Sequence, residues 1–293
     1  MKSLTKQHGR IVKKKLNRSP VVNAVIFIAV LFSGIFMDLP LVYSVVNAFK
    51  PLEEFFVFPP RFYVLHPTTE NFTDLGKLLA NLWVPFSRYV FNSVLVSVIA
   101  TVGCVVFALM AAYVLSKHDL PGKKIINLII INAILFNSKV IGIPQYIVLS
   151  SVGWIDSFMA LLAPMFCMPL GIFLMRQFMD MVPGEIIESA RIDGAGELRI
   201  CYSIVSAMIK PAMITVAIFA FQSIWNYSAS TAFIYTETLK NVPTVLSQIA
   251  TGTMSRAGIE AAASLIILIP PILFFVLFQS RIIETMSSSG IKG

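Results

Sequence analysis

The chain predicts an all-α, polytopic membrane protein with six transmembrane helices and both termini in the cytoplasm. Three observations lead there. Of its 293 residues, 57% are hydrophobic and only 13% charged, against about 25% charged in an ordinary soluble domain. The apolar residues fall in long runs, as a bilayer used as solvent requires. The basic residues are shared unevenly between the segments joining those runs, which orients them.

The elements follow in order. Residues 1–20 form a basic segment carrying Lys2, Lys6, Arg10, Lys13, Lys14, Lys15 and Arg18. The run 21–46 comes next, broken by Asp38 and Pro40. No small-residue cleavage site follows a short apolar stretch, so this run reads as an uncleaved first span. Further runs cover 89–115, 125–149, 157–175, 208–227 and 258–283. Each holds about 20 residues or slightly more, enough to cross ~30 Å of hydrocarbon. Each must be helical, because a lone span in lipid has to satisfy its own backbone. Together they make one membrane domain over 21–283, with a tail at 284–293.

Placing the N-terminus inside puts the basic arm, Lys117, Lys123, Lys124, Arg176, Arg191, Arg199, Lys210, Arg281 and Lys292 on the cytoplasmic side. The outer segments then hold only Lys50, Arg61, Lys77, Arg88, Lys240 and Arg256. Basic residues concentrate on the cytoplasmic side of membranes. Two outer loops are long. Residues 47–88 include Pro51, Pro59, Pro60, Pro67 and Phe55, Phe56 and Phe58, and 228–257 include Pro243. Each is a partner surface or an irregular cap over the helices.

Several function classes drop out. The net charge of +8 does not signal nucleic acid, because it flanks apolar runs and suits anionic lipid. Cys104, Cys167 and Cys201 lie in or near spans and read as small apolar filler rather than a disulfide framework. His8, His66 and His118 are far apart, with no zinc-ligand spacing. No Ser/His, paired Asp or metal constellation lies within the spans, so the chain is not expected to be an enzyme.

The informative segment is the cytoplasmic loop 176–207. Its centre runs Pro183-Gly184-Glu185-Ile186-Ile187-Glu188-Ser189-Ala190-Arg191-Ile192-Asp193-Gly194-Ala195-Gly196. Pro183 and Glu185 suit a first helical turn, and Gly194 suits a C-terminal end. Ile186, Ile187, Ala190 and Gly194 share a face, with small residues where another protein can approach closely. Glu188 and Arg191 stand beside that face. On these grounds alone the segment is a docking helix or an amphipathic helix lying on lipid.

The segment resembles the E-A-A…G loop of importer permeases in the ATP-binding cassette superfamily, here Glu188-Ser189-Ala190 with Gly194 six residues after the Glu. The wider string through Asp193, Gly194 and Ala195 looks like the form in carbohydrate-uptake permeases of the maltose-transporter type. Residues 47–60 resemble that family's first outer loop. Ile224-Trp225-Asn226 resembles its fifth-span signature, and Ile291-Lys292-Gly293 its common end. Two departures stand out. Ser189 replaces the usual Ala, and Ser206-Ala207 stands where the family tends to have Leu-Pro, with Pro211 kept. A softer or displaced kink is therefore expected before the fifth span.

The resemblance implies that Glu188, Ser189, Ala190, Asp193, Gly194 and Ala195 couple the chain to a cytoplasmic ATPase. It implies a second homologous permease subunit, two ATPase subunits, an extracytoplasmic sugar-binding protein, and no nucleic acid. The chain has no G-x-x-x-x-G-K-[ST] phosphate loop. It is expected to bind no cofactor itself, with ATP and Mg held by the partner subunits. An ion-coupled secondary transporter is the competing class, but Asp38 is the only carboxylate near a span interior and no repeat is visible. Non-sugar cargo within the superfamily is the other alternative.

Cargo-path candidates are Gln222, Trp225, Asn226, Lys139 and Asn137. Gln222 and Asn226 share a face at i, i+4. They line the path or bridge helices. Lys139 lies inside the third run, beside Asn137. It snorkels to the outer headgroups, pairs with Asp38, or meets an acidic cargo.

Overall fold

The computed structural model describes residues 20–136, 138–227, 232–250 and 256–289. The basic arm, the closing Ile291-Lys292-Gly293 and Asn137 fall outside the described residues, as does the side chain of Lys139. Every regular element among the described residues is helical. The chain divides into two compact units at Val45 and Val46. The first is occupied by α1, Pro20–Ala48, whose sequence is apolar all round, as lipid contact requires.

The second unit opens with a folded outer segment holding α2 (Leu52–Phe55) and α3 (Glu70–Ala80). Here the expectation of an irregular loop gives way to specific polar ties. Asn71, buried on α3, donates through Nδ2 to the carbonyls of Ala48 and Lys50 at 3.0 and 2.8 Å. Glu54 accepts from the amides of Leu65 and His66. Buried backbone groups demand such partners.

The central pillar is α4, Phe86–Lys117. After a turn at Gly122 come α5 (Lys123–Leu135) and α6 (Ser138–Ser151). Lys123–Leu135 and Val140–Ser151 meet at 116°, so the third run is not one straight helix. The fourth run is α7 (Met159–Phe166) and α8 (Pro169–Asp180), interrupted before Pro169. It extends past Met175 to Asp180, with Arg176 and Asp180 one turn apart at 3.8 Å. The loop thus begins at Met181 rather than Arg176. Cys104 and Cys201 are buried, but Cys167, at the α7–α8 break, is exposed. It does not fill the core.

Beyond the loop lie α9 (Gly184–Ile192), α10 (Glu197–Arg199), a π-helical turn at Ile200–Val205, and α11 (Ser206–Met208). Then come α12 (Lys210–Trp225), a 3-10 turn at Glu237–Leu239, α13 (Val242–Ala250) and α14 (Ala257–Ser289). The segments before and after Ile209 meet at 90°. The kink is sharp, not softened, and sits just ahead of Pro211, which the first turn of α12 tolerates. Among the described residues, four helical segments are long and apolar enough to cross a membrane, at Val21–Ala48, Phe86–Lys117, Met159–Asp180 and Ala257–Gln279. The two bent pairs bring the number to six if each is one span.

Packing explains why α4 is central. Its buried stripe of Ser93, Ser97, Ala100, Cys104, Ala108 and Ala112 recurs about every four residues, so it forms one face. Small residues let helix backbones approach closely in membranes. Gly171 of α8 stands at a three-helix contact. A Cβ there would lie 3.0 Å from Val216 Cγ1 of α12, 3.7 Å from Ala108 Cβ and 3.8 Å from Cys104 Sγ.

Gly171→Leu is therefore expected to cost about 1–3 kcal/mol by overpacking, and Val216→Ala in the same chain to recover part of it. Thermal melts in detergent read both effects. An unchanged melting temperature in Gly171→Leu contradicts the three-helix contact.

Candidate functional site

On the side predicted cytoplasmic, the chain leaves α8, turns at Val182 and forms α9. Pro183 takes the extended conformation before the first turn, and Glu185 in that turn complements the helix dipole. The C-terminal end closes by a paired backbone motif. The Gly194 N–H donates to the Arg191 carbonyl at 3.0 Å, and the Ala195 N–H to the Ala190 carbonyl at 2.9 Å. This pairing needs a left-handed residue between them, and Gly194 has φ of 80°.

The helix is mounted on the bundle by Ile187 and Ala190. These are buried in a core cluster with Leu109, Ala112 and Tyr113 of α4 and Met175 and Met179 of α8. This corrects the sequence reading of the small-residue face. Ala190 is small so that α9 can approach its own bundle, not an outside protein. Glu188, Ser189, Asp193 and Gly194 are exposed, Ala195 half-buried, and Ile192 is 87% exposed. Ser189 Oγ donates to the Ile186 carbonyl, so its hydroxyl is satisfied within the helix. The outward ridge combines two carboxylates, Glu188 and Asp193, with an apolar Ile192.

Polar ties fix both ends of α9. Lys117 Nζ donates to the Val182 carbonyl at 2.6 Å. Arg191 Nε donates to Glu197 Oε1 at 2.7 Å, and the Tyr113 hydroxyl to Glu197 Oε2 at 2.6 Å. The Arg191 guanidinium, then the Tyr113 hydroxyl, hold the Glu197 carboxyl below its usual range. Sequence reasoning missed Tyr113, Lys117 and Glu197. Their one local signal is the polar cluster that ends the second span, Ser116-Lys117-His118.

The path candidates separate. Gln222 is half-buried on α12 and Asn226 is exposed at its C-terminal end, its N–H donating to the Gln222 carbonyl. Trp225 points elsewhere. It is 7% exposed, and its indole donates to the Ile267 carbonyl of α14 at 2.9 Å. Its ring also stacks with Phe221, so it joins α12 to α14.

Nearby, Asp156 ties the turn between α6 and α7 to the segment after α12. It accepts from the Tyr235 and Thr236 amides at 2.9 Å and the Thr236 hydroxyl at 2.6 Å. The Thr236 hydroxyl, then the Thr236 amide, hold its carboxyl below the usual range. Among the described residues, no group of three His, Cys, Asp or Glu side chains is placed to hold a metal.

Apolar helices long enough to cross a bilayer, packed on a small-residue pillar and carrying an amphipathic helix with an outward acidic ridge, define a polytopic membrane protein. Residues 75–286 match the family described as binding-protein-dependent transport system inner membrane component. The chain belongs to that family, and is thus a multi-pass protein of the cytoplasmic membrane and a transporter component. It is 26% identical to the inner membrane ABC transporter permease protein YcjP of Escherichia coli (strain K12), over 87% of this chain and 91% of that protein. It is 23% identical to the arabinooligosaccharides transport system permease protein AraQ of Halalkalibacterium halodurans, over 95% and 100%. It is 27% identical to the trehalose transport system permease protein SugB of Mycobacterium tuberculosis, over 71% and 78%. Its fold matches a chain of a bacterial ABC transporter involved in import of the acidic polysaccharide alginate. The TM-score is 0.70 at 20% identity, covering 90% of this chain and 98% of that one.

The Asp156 tie carries a pH signature. A carboxyl whose folded pKa is depressed adds stability above its unfolded pKa of about 4, and loses it as pH falls through the lower folded value. The gap in melting temperature between wild type and Asp156→Asn is expected to hold constant from pH 8 to about pH 5. It then closes in stronger acid. A gap that widens on acidification contradicts the assignment.

Proposed function

We propose that this chain is one of two homologous transmembrane subunits of an ATP-driven importer for a carbohydrate, most simply an oligosaccharide. ATP is hydrolysed by two partner ATPase subunits, and cargo is delivered by an extracytoplasmic binding protein. The observation that carries the reading is α9, rigidly mounted by Ile187 and Ala190 with Glu188, Ser189, Ile192 and Asp193 turned outward. A short rigid helix can transmit a push as a body, and its carboxylates can register on basic groups of the ATPase. The family match supports the binding-protein partner. The relatives' printed cargoes, arabinooligosaccharides and trehalose, support a sugar.

In this reading the chain crosses the membrane six times, each bent pair counting as one span, with the basic arm and α9 in the cytoplasm. Bent backbone is tolerated at membrane depth where protein covers it, and Ile209 at the 90° bend is 1% exposed. Gln222 and Asn226 line the cargo path, wetted from the outer side. Lys139 and Asn137 remain path candidates on their sequence position.

The test is uptake into vesicles holding the assembled complex, with arabino-oligosaccharides and trehalose as probes. Uptake requires ATP and the ATPase subunits. Glu188→Lys reduces it at least about tenfold, equivalent to ~1.4 kcal/mol of lost registration, while membrane insertion stays intact. Cysteines at 222 and 226 react with a water-soluble thiol reagent in at least one state. Uptake by the chain alone, or full uptake by Glu188→Lys, contradicts the proposal.

A further inference from the structure

The covalent connections of α9 are poor force carriers. It starts at Gly184, and Gly194 and Gly196 follow it. Glycine leaves such joints conformationally permissive. Non-covalent ties from the C-terminal end of α4 flank α9 on both sides. Ser116 Oγ donates to Asp180 Oδ1 at 2.5 Å, where α8 ends. Lys117 Nζ donates to the Val182 carbonyl just before α9. Past α9, Glu197 accepts from Tyr113 of α4 and from Arg191 of α9 itself. His118 Nε2 lies 3.5 Å from the same carboxylate, and its ring meets Tyr113 edge-on at 5.4 Å.

Glu197 therefore bridges α9 and α4. One oxygen holds the docking helix and the other holds the pillar. Both bonds are short, and the one from Arg191 is charge-assisted, the stronger class of hydrogen bond. The pillar in turn packs against α7, α8, α12 and α13, so a displacement delivered to the end of α4 reaches most of the bundle.

We propose that Glu197 is a positioning residue for energy coupling: it clasps Arg191 of α9 to Tyr113 of α4, so that α9 and α4 move as one body when the ATPases act. The proposal rests on the reading of α9 as the ATPase-docking helix. The coupling path runs through α4 rather than along the chain through α8 or α12. Ile187 and Ala190 set where α9 sits; the clasp keeps it from pivoting on its glycine joints under load.

The test uses the full complex in lipid nanodiscs, in a background lacking Cys104, Cys167 and Cys201. Spin labels go on cysteines replacing Glu185, exposed on α9, and Ser87, exposed at the far end of α4. The inter-label distance is measured without nucleotide and with vanadate-trapped MgATP. With the clasp intact it stays constant within about 2 Å, the scale of small helix shifts at interfaces. In Glu197→Gln, and separately in the milder Tyr113→Phe, the ATPases still co-purify but the distance changes by more than that between the two states. Wild-type constancy in both variants overturns the clasp. So does loss of the ATPases from both, which makes the cluster a docking or folding element instead. Failure of the underlying reading looks different: ATPase assembly then leaves the solvent accessibility of the α9 label unchanged in the parent complex.

Discussion

The close approach of helices along the small-residue face of α4 is the constraint on which the rest of the structure depends. A bilayer offers no hydrophobic drive for one apolar helix to leave lipid for another, so association must come from contact itself. Serines, alanines and Cys104 give α4 a face that α7, α8 and α12 can reach, and Gly171 lets three helices meet at one level. The same face continues to Ala112, in the core cluster that also holds Ala190 of α9. One design rule thus builds the membrane core and seats the helix outside it.

That seat explains how one short segment can be both fixed and available. Nine residues are too few to be a stable helix alone in water. The burial of Ile187 and Ala190, the left-handed close at Gly194 and the clasp at Glu197 supply the missing stability. On the opposite side Glu188, Ile192 and Asp193 stay exposed, and it is this side that the proposed function gives to the ATPase. At the other end of the bundle, polar ties do similar work. Asn92 of α4 donates to the carbonyls of Thr238 and Lys240, and Ser93 accepts from the Val242 amide, so α13 is hung from the same pillar.

Much of this was legible in the sequence because lipid imposes long uninterrupted runs. The runs 21–46, 89–115 and 258–283 each fall on one long helix, while 125–149 and 157–175 each fall on two and 208–227 begins at a sharp bend; Pro183 and Gly194 mark α9 by local chemistry alone. The helix runs past Arg176 to Asp180, because a charge that ends an apolar run does not by itself end a helix. The face of α9 was misassigned because periodicity shows that a helix has two sides but not which one its own protein takes. The Glu197–Tyr113 bond joins residues far apart in the chain, and no local pattern announces it. The 90° bend at Ile209 falls past Ser206-Ala207, so of the softer and the displaced kink it is the displaced one that forms, just ahead of Pro211.

The central claim is that α9 presents one face to its own bundle and the other to an ATPase. A photo-crosslinking amino acid placed singly at 192 and at 187 in the assembled complex tests it most directly. The account predicts a crosslink from position 192 to the ATPase subunit and, from position 187, crosslinks confined to this chain. An ATPase crosslink from 187, or none from 192 in a complex that retains its ATPases, would contradict it.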